Sequence, residues 1–135
     1  MKIDARFTAF YILKIFESEN IKLSKARDKI FLEYSLKNNI KSRAMVLSNE
    51  VTRLRSRLDL MIAHISNQKI KRLKKTQVII LRIGFYEIIY DEFVPHYASV
   101  DSSVKMAHKL LSRKSVGFTN AVLRNLIRKK DLNKY

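Results

Sequence analysis

Arginines recur one helical turn apart at two places, Arg53 with Arg57 and Arg124 with Arg128, and a lysine-rich run, KIKRLKK, fills residues 69–75. Spaced by four, two guanidinium groups share one helix face. Each can hold a phosphate through two donors or stack on a base. That chemistry recognises polyanions. Catalytic chemistry finds less support. His64, His96 and His108 stand in separate elements without ligand-like spacing, so no metal site is expected. His96, directly after Pro95, reads as a helix-start or surface residue. Gly84 and Gly117 stand alone inside predicted helices, so no glycine-rich loop brings backbone close to a nucleotide or to S-adenosylmethionine. Glu87 sits in an apolar helix and reads as a carboxyl held by a salt bridge or hydrogen bond from a neighbouring helix. The absence of cysteine excludes disulfides, thiolate metal sites and a cysteine nucleophile. Neither an enzyme nor a cofactor is expected.

The charge balance agrees with the arginine pattern. The 135 residues hold 28 Lys and Arg against 12 Asp and Glu, a formal net charge of +16. Residues 1–67 contribute 13 basic and 7 acidic side chains, and residues 68–135 contribute 15 and 5. No detachable tail accounts for the excess, so the folded surface itself is expected to be positive and to attract nucleic acid or an anionic membrane. A membrane partner fits poorly. No helix sets Phe and Leu on one face against Lys on the other. The longest apolar stretch, VIILRIGFYEIIY (78–90), is too short to span a bilayer and contains Arg82 and Glu87. Asp4 and Arg6 interrupt MKIDARFTAF, so no signal peptide is read there, and a cytoplasmic protein is expected.

These side chains must be carried by helices, because two glycines and one proline leave little turn chemistry for sheets. A chain of this length is expected to form one domain over 1–135. Asp4 is placed to cap a first helix running to about Ser18, with Phe7, Tyr11 and Ile15 at four-residue steps. Ser24 is placed to cap a second helix with Ile30, Phe31 and Tyr34 on its apolar side, which LKNNIK (36–41) ends. Leu47, Val51, Leu54, Leu58, Met61 or Ile62, and Ile65 follow one another at steps of three and four, predicting one long third helix over about 42–66. On it, Arg55 can pair with Asp59. A fourth helix, about 76–90, is apolar on every side and is expected to run through the middle of the domain. Gly84 inside it implies a helix packed closely against that point. Pro95 opens a fifth helix, and Ser115 is placed to cap a last one reaching about residue 130. There, Asn120 is expected to bond backbone near residues 94–98, while Arg124 and Arg128 reach solvent. Tyr97 and Tyr11 are candidates for stacking on unpaired bases.

LRIGFYEIIYDEFVPHYASVDSSVKMAHK (81–109) followed by GFTNAVLRNLIR (117–128) resembles the NusB-like RNA-binding domain family. That domain occurs as the stand-alone antitermination factor and at the N-terminus of RsmB-type rRNA cytosine methyltransferases. The matching positions are Leu81, Arg82, Tyr86, Glu87, Val94, Pro95, Val100, Asp101, Val104, Ala107, Phe118, Asn120, Val122 and Leu123. ARFTAFYIL (5–13) resembles the family's opening segment. RLRSRLDLMIAHI (53–65) is similar to an arginine-rich segment of the methyltransferases. The family's Asn-Glu-Ala is Asp101-Ser102-Ser103 here, which loses one carboxylate and shifts another. The resemblance implies an all-α bundle of about seven helices in two groups. It further implies RNA binding in rRNA transcription antitermination or maturation, with the ribosomal protein NusE as partner on the boxA element of leader transcripts. The alternative it implies is a docking subunit for a separately encoded rRNA methyltransferase. Arg6, Arg53, Arg57, Lys69, Lys71, Arg72, Lys74, Lys75, Arg82, Arg124 and Arg128 are the candidate RNA contacts.

Overall fold

Asp4 caps the first helix as its position in the sequence suggests: its Oδ1 accepts a hydrogen bond from the Phe7 amide at 2.8 Å. The computed structural model describes residues 3–133, with the side chains of 131–133 excepted. Seven α-helices and one short 3-10 turn make up the regular structure of the described residues, and no strand occurs among them. The fold is all-α. The chain forms two compact units, Met1–Arg53 and Leu54–Tyr135.

The first unit consists of α1 (Ala5–Glu19), α2 (Leu23–Glu33) and α3 (Asn38–Arg53), each packed on the other two. Its apolar centre joins Ile12, Ala26, Ile30 and Ala44, and Tyr11, Ile15, Phe16, Phe31 and Tyr34 pack around them. Asn20 ends α1 in the left-handed region, φ 52°, where asparagine carries less strain than most residues. Two boundaries differ from the sequence reading. The second helix begins at Leu23 after Lys22, which makes no side-chain cap, so Ser24 lies inside it. The third helix begins at Asn38, four residues earlier than the apolar stripe indicated, because the Lys41 amide already bonds the Lys37 carbonyl at 3.0 Å.

The second unit consists of α4 (Arg55–Ser66), the 3-10 turn Ile70–Arg72, α5 (Lys75–Tyr90), α6 (His96–Leu110) and α7 (Arg113–Asn133). The single long helix expected over 42–66 is two helices. Leu54, at φ −98° and ψ 9°, leaves helical geometry at the boundary between the two units. No glycine or proline marks that break. The stripe continues through it because each unit needs an apolar face there: Leu47 and Val51 are buried in α3, and Leu58, Ile62 and Ile65 in α4.

α5 is the central element, packed against α4, α6 and α7, with 11 of its 16 residues buried. Gly84 shows why a glycine is needed. A methyl group there would stand 2.9 Å from Ser103 Oγ on α6 and 3.0 Å from Leu123 Cδ2 on α7. The expected close approach is present. Gln77 Nε2 donates to Thr119 Oγ1 at 2.9 Å, pairing two buried polar groups of α5 and α7. Asn125 Nδ2 donates to the Ile65 carbonyl at 3.2 Å, which ties α7 to the end of α4. The last helix starts earlier than the sequence suggested. Ser112, not Ser115, stands at its start, and the Ser115 amide bonds the Ser112 carbonyl at 3.0 Å.

Candidate nucleic-acid interface

KIKRLKK becomes the link between α4 and α5, and its alternation has a plain physical basis. Ile70 and Leu73 are half-buried, while Lys69, Lys71, Arg72, Lys74 and Lys75 are exposed. The apolar pair anchors the 3-10 turn and the five cations face water. Lys74 is the N-cap residue of α5 and Lys75 its first residue, without a side-chain cap or an acidic residue in the first turn. Cations at the positive end of a helix dipole each cost about 0.3–1 kcal/mol. The field there is correspondingly strong, since the helix dipole and the lysines add in sign.

A second basic strip lies on α7. Arg124 and Arg128 are both exposed and one turn apart. Arg124 Nε donates to Asn120 Oδ1 at 3.0 Å, and Arg128 Nη2 lies 3.4 Å from Asn125 Oδ1. Asn120 therefore steadies Arg124 within its own helix, in place of the expected bond to backbone near residues 94–98. The asparagine that reaches another helix is Asn125.

Arg57 is exposed on α4. In the first unit, Arg6 lies half-buried in the first turn of α1 and has an interaction partner. Arg53, at the end of α3, pairs with Glu50 at 2.6 Å with most of its side chain in solvent. A pair that exposed contributes little stability and is readily exchanged.

Arg82 belongs to none of these surfaces. It is 8% exposed and holds Asp59 through a fork, Nε to Oδ1 at 2.8 Å and Nη2 to Oδ2 at 2.9 Å. The pair joins α5 to α4, and desolvation makes it a structural contact. The sequence reading had placed Arg82 among the RNA contacts and Asp59 opposite Arg55. A helix that is apolar all round and packed on three sides leaves a mid-helix arginine little surface for a ligand. Glu87, fully buried on the same helix, also has an interaction partner.

The aromatic residues divide similarly. Tyr11 is half-buried, stacked on Tyr34 with centroids 5.9 Å apart and touched by Phe7 and Phe10. Burial pushes its phenol above the ordinary tyrosine value, with the Tyr34 and Glu33 charges adding to the shift. Its ring is committed to the core. Tyr97 is 77% exposed at the start of α6, and Phe93, in the turn that Asp91 Oδ1 closes by accepting from the Phe93 amide at 3.0 Å, is 95% exposed. Nothing in the sequence singled out Phe93, although DEFVP marks the turn that expels it. Among the described residues no cluster of His, Asp or Glu is able to hold a metal ion, and no helix is long and apolar enough to cross a membrane.

The sequence model of the NusB family matches residues 4–128. A transcription antitermination protein NusB of Clostridium botulinum (strain Alaska E43 / Type E3) is 35% identical over 66 residues, 49% of this chain and 50% of the relative. The protein of the same name from Clostridium kluyveri is 34% identical over 71 residues, 53% and 46% of the two chains. The chain thus spans about half the length of the curated relatives it matches. A solved structure described as antitermination factors NusB and NusE in complex with dsRNA has a TM-score of 0.85 at 23% identity, covering 93% of this chain and 94% of that one. T. maritima NusB gives 0.84 at 19% identity, covering 96% and 94%. Identity that low carries the fold.

Proposed function

The chain belongs to the NusB family, and from that premise we propose that it is a non-enzymatic RNA-binding factor of transcription antitermination. Its target would be an unpaired segment of rRNA leader transcript, bound with a NusE-type ribosomal protein in the cytoplasm. The observation that carries this reading is the family match, which runs through both compact units. The relatives named as antitermination proteins and the fold shared with a NusB–NusE–dsRNA complex support it. The chain's own chemistry is consistent: exposed lysines and arginines hold phosphates and set the RNA's path, while a few arginine and aromatic side chains meet splayed bases.

A docking role for a separately encoded methyltransferase leaned on RLRSRLDLMIAHI. Leu58 of that segment is core and Asp59 holds Arg82, so packing accounts for part of the likeness.

The test is titration of a short unpaired RNA at several salt concentrations. About five phosphate contacts to a single strand give a log–log slope of roughly −3 to −4. Undetectable binding at low salt would remove the proposal. A stoichiometric methyltransferase recovered from the native cell without RNA would favour the docking role.

A further inference from the structure

In the second unit, α6 and α7 border a shallow groove of about 530 Å³. Val100, Val104 and Ile127 give it an apolar floor, and Tyr97, Asp101 and Arg124 stand around it with Asn120. The polar groups are arranged for exchange with a ligand. Asp101 Oδ2 is 3.2 Å from Lys105 Nζ in a pair whose side chains are 63% and 74% exposed, and such a pair contributes almost nothing to stability. Arg124 spends its Nε on Asn120, which holds the guanidinium in place while its two terminal nitrogens remain as donors. Because Asn120 Oδ1 accepts that bond, its amide Nδ2 is left as a donor.

A flat aromatic, an apolar floor, a carboxylate acceptor and a guanidinium donor at one groove describe a site for a nucleobase. Resting on the RNA-binding reading above, we propose that the α6–α7 groove is a subsite for one unpaired guanine, with Tyr97 stacking on the base, Asp101 accepting from its N1–H and N2–H, and Arg124 donating to O6 and N7. Guanine is selected by complementarity. It is the RNA base that presents two adjacent donors to a carboxylate, and the O6 and N7 acceptors beside them suit an arginine fork. Adenine and cytosine offer a single amino group next to an acceptor that would face Asp101 with like polarity. Uracil sets its one N–H between two acceptors. An acidic peptide would meet Arg124 but be opposed by Asp101, and a basic one would be repelled by the +16 chain.

The experiment uses the full chain and labelled oligouridine carrying one central guanosine, adenosine or inosine. Guanosine should bind about tenfold more tightly than adenosine, the size of one good bidentate contact, and inosine, lacking the N2 amino group, should fall between. Asp101→Asn should lower the guanosine-to-adenosine ratio. Tyr97→Ala should weaken all three. Equal binding of guanosine and adenosine oligomers by the unaltered chain overturns the guanine subsite and leaves the RNA-binding reading standing. Absence of binding to every oligomer removes both. Resonances of Tyr97 and Arg124 that move with a ribosomal-protein partner but not with RNA would assign the groove to protein and overturn the proposal.

Discussion

Replacing Arg82 by alanine separates the structural cations from those that meet RNA. The Arg82 side chain is 9% exposed and that of its partner Asp59 is 24% exposed. Removing the arginine strands the carboxylate with part of its surface still facing protein. Breaking a fully buried pair costs about 3–5 kcal/mol. The exposed quarter of Asp59 lets water recover some of that, which leaves about 2–3 kcal/mol. With a urea m-value of about 1–2 kcal/mol/M for a unit this small, the unfolding midpoint should fall by roughly 1–3 M. RNA affinity, measured by fluorescence anisotropy where the variant is folded, should stay within about twofold, because the Arg82 guanidinium is held by Asp59 and its side chain is only 9% exposed. Arg124→Glu should do the reverse: a midpoint shift within the roughly 0.5 kcal/mol typical of surface changes, with a clear loss of affinity. Removing both charges, as in Arg82→Met with Asp59→Leu, should recover much of the lost stability, since the penalty lies in the stranded carboxylate. An Arg82→Ala protein with an unchanged urea midpoint and RNA binding as weak as that of Arg124→Glu would refute the reasoning.

The two glycines should respond with opposite signs in the same urea experiment. Gly117→Ala meets nothing within 4 Å and should stabilise by about 0.5–1 kcal/mol through helix propensity. Gly84→Ala gains the same propensity but drives a methyl into Ser103 and the fully buried Leu123. Overpacking of about 1–3 kcal/mol should make it net destabilising, and equal shifts for the two variants would be inconsistent with the packing described. Converting Lys71, Lys74 and Lys75 together to glutamine should flatten the salt slope of RNA binding by about 2, while circular dichroism shows a helix no less stable. Tyr11 should titrate above the ordinary tyrosine range in a tyrosinate absorbance experiment. Since the folded state holds that proton more tightly, its stability is fully present below the ordinary value and declines as pH rises through the raised one. Tyr34→Phe should lower the Tyr11 value only in part, because burial is the larger cause.

Long-period features were readable from the chain, and single contacts were not. The apolar ring of 78–90 identified the central helix, and Gly84 within it pointed to the close approach of α6 and α7, because a glycine at a buried position inside a helix leaves room for a neighbour. The halt at Leu54 was invisible. The stripe is continuous in sequence, and the break reflects a passage between two units instead of any residue with a breaking tendency. SRKS offered two serines three apart, and the sequence alone did not favour Ser112. Arg82 and Arg124 look alike as letters. What separates them is whether a neighbouring helix supplies a carboxylate, a fact of tertiary structure. The pairing of Gln77 with Thr119 across 42 residues had no local signal at all.

The basic link between α4 and α5 carries an argument that burial alone does not. Chains that only need solubility distribute lysines where they are electrostatically cheap, at helix C-termini and beside acids. None of the seven helices has an acidic residue in its first turn, and α5 places Lys74 and Lys75 at its N-terminus, as α7 does Arg113 and Lys114. Local helix electrostatics oppose that choice, and three more cations within the preceding five residues compound the repulsion. Such a conflict between local and global preference is expected where a surface is shaped by its ligand. A polyanion removes it. Phosphates drawn to the link would neutralise the lysines and meet the positive end of the α5 dipole, so bound RNA should stabilise the second unit. The stabilisation should fade with salt along with binding, and a folded state equally stable with and without RNA at low salt would contradict it.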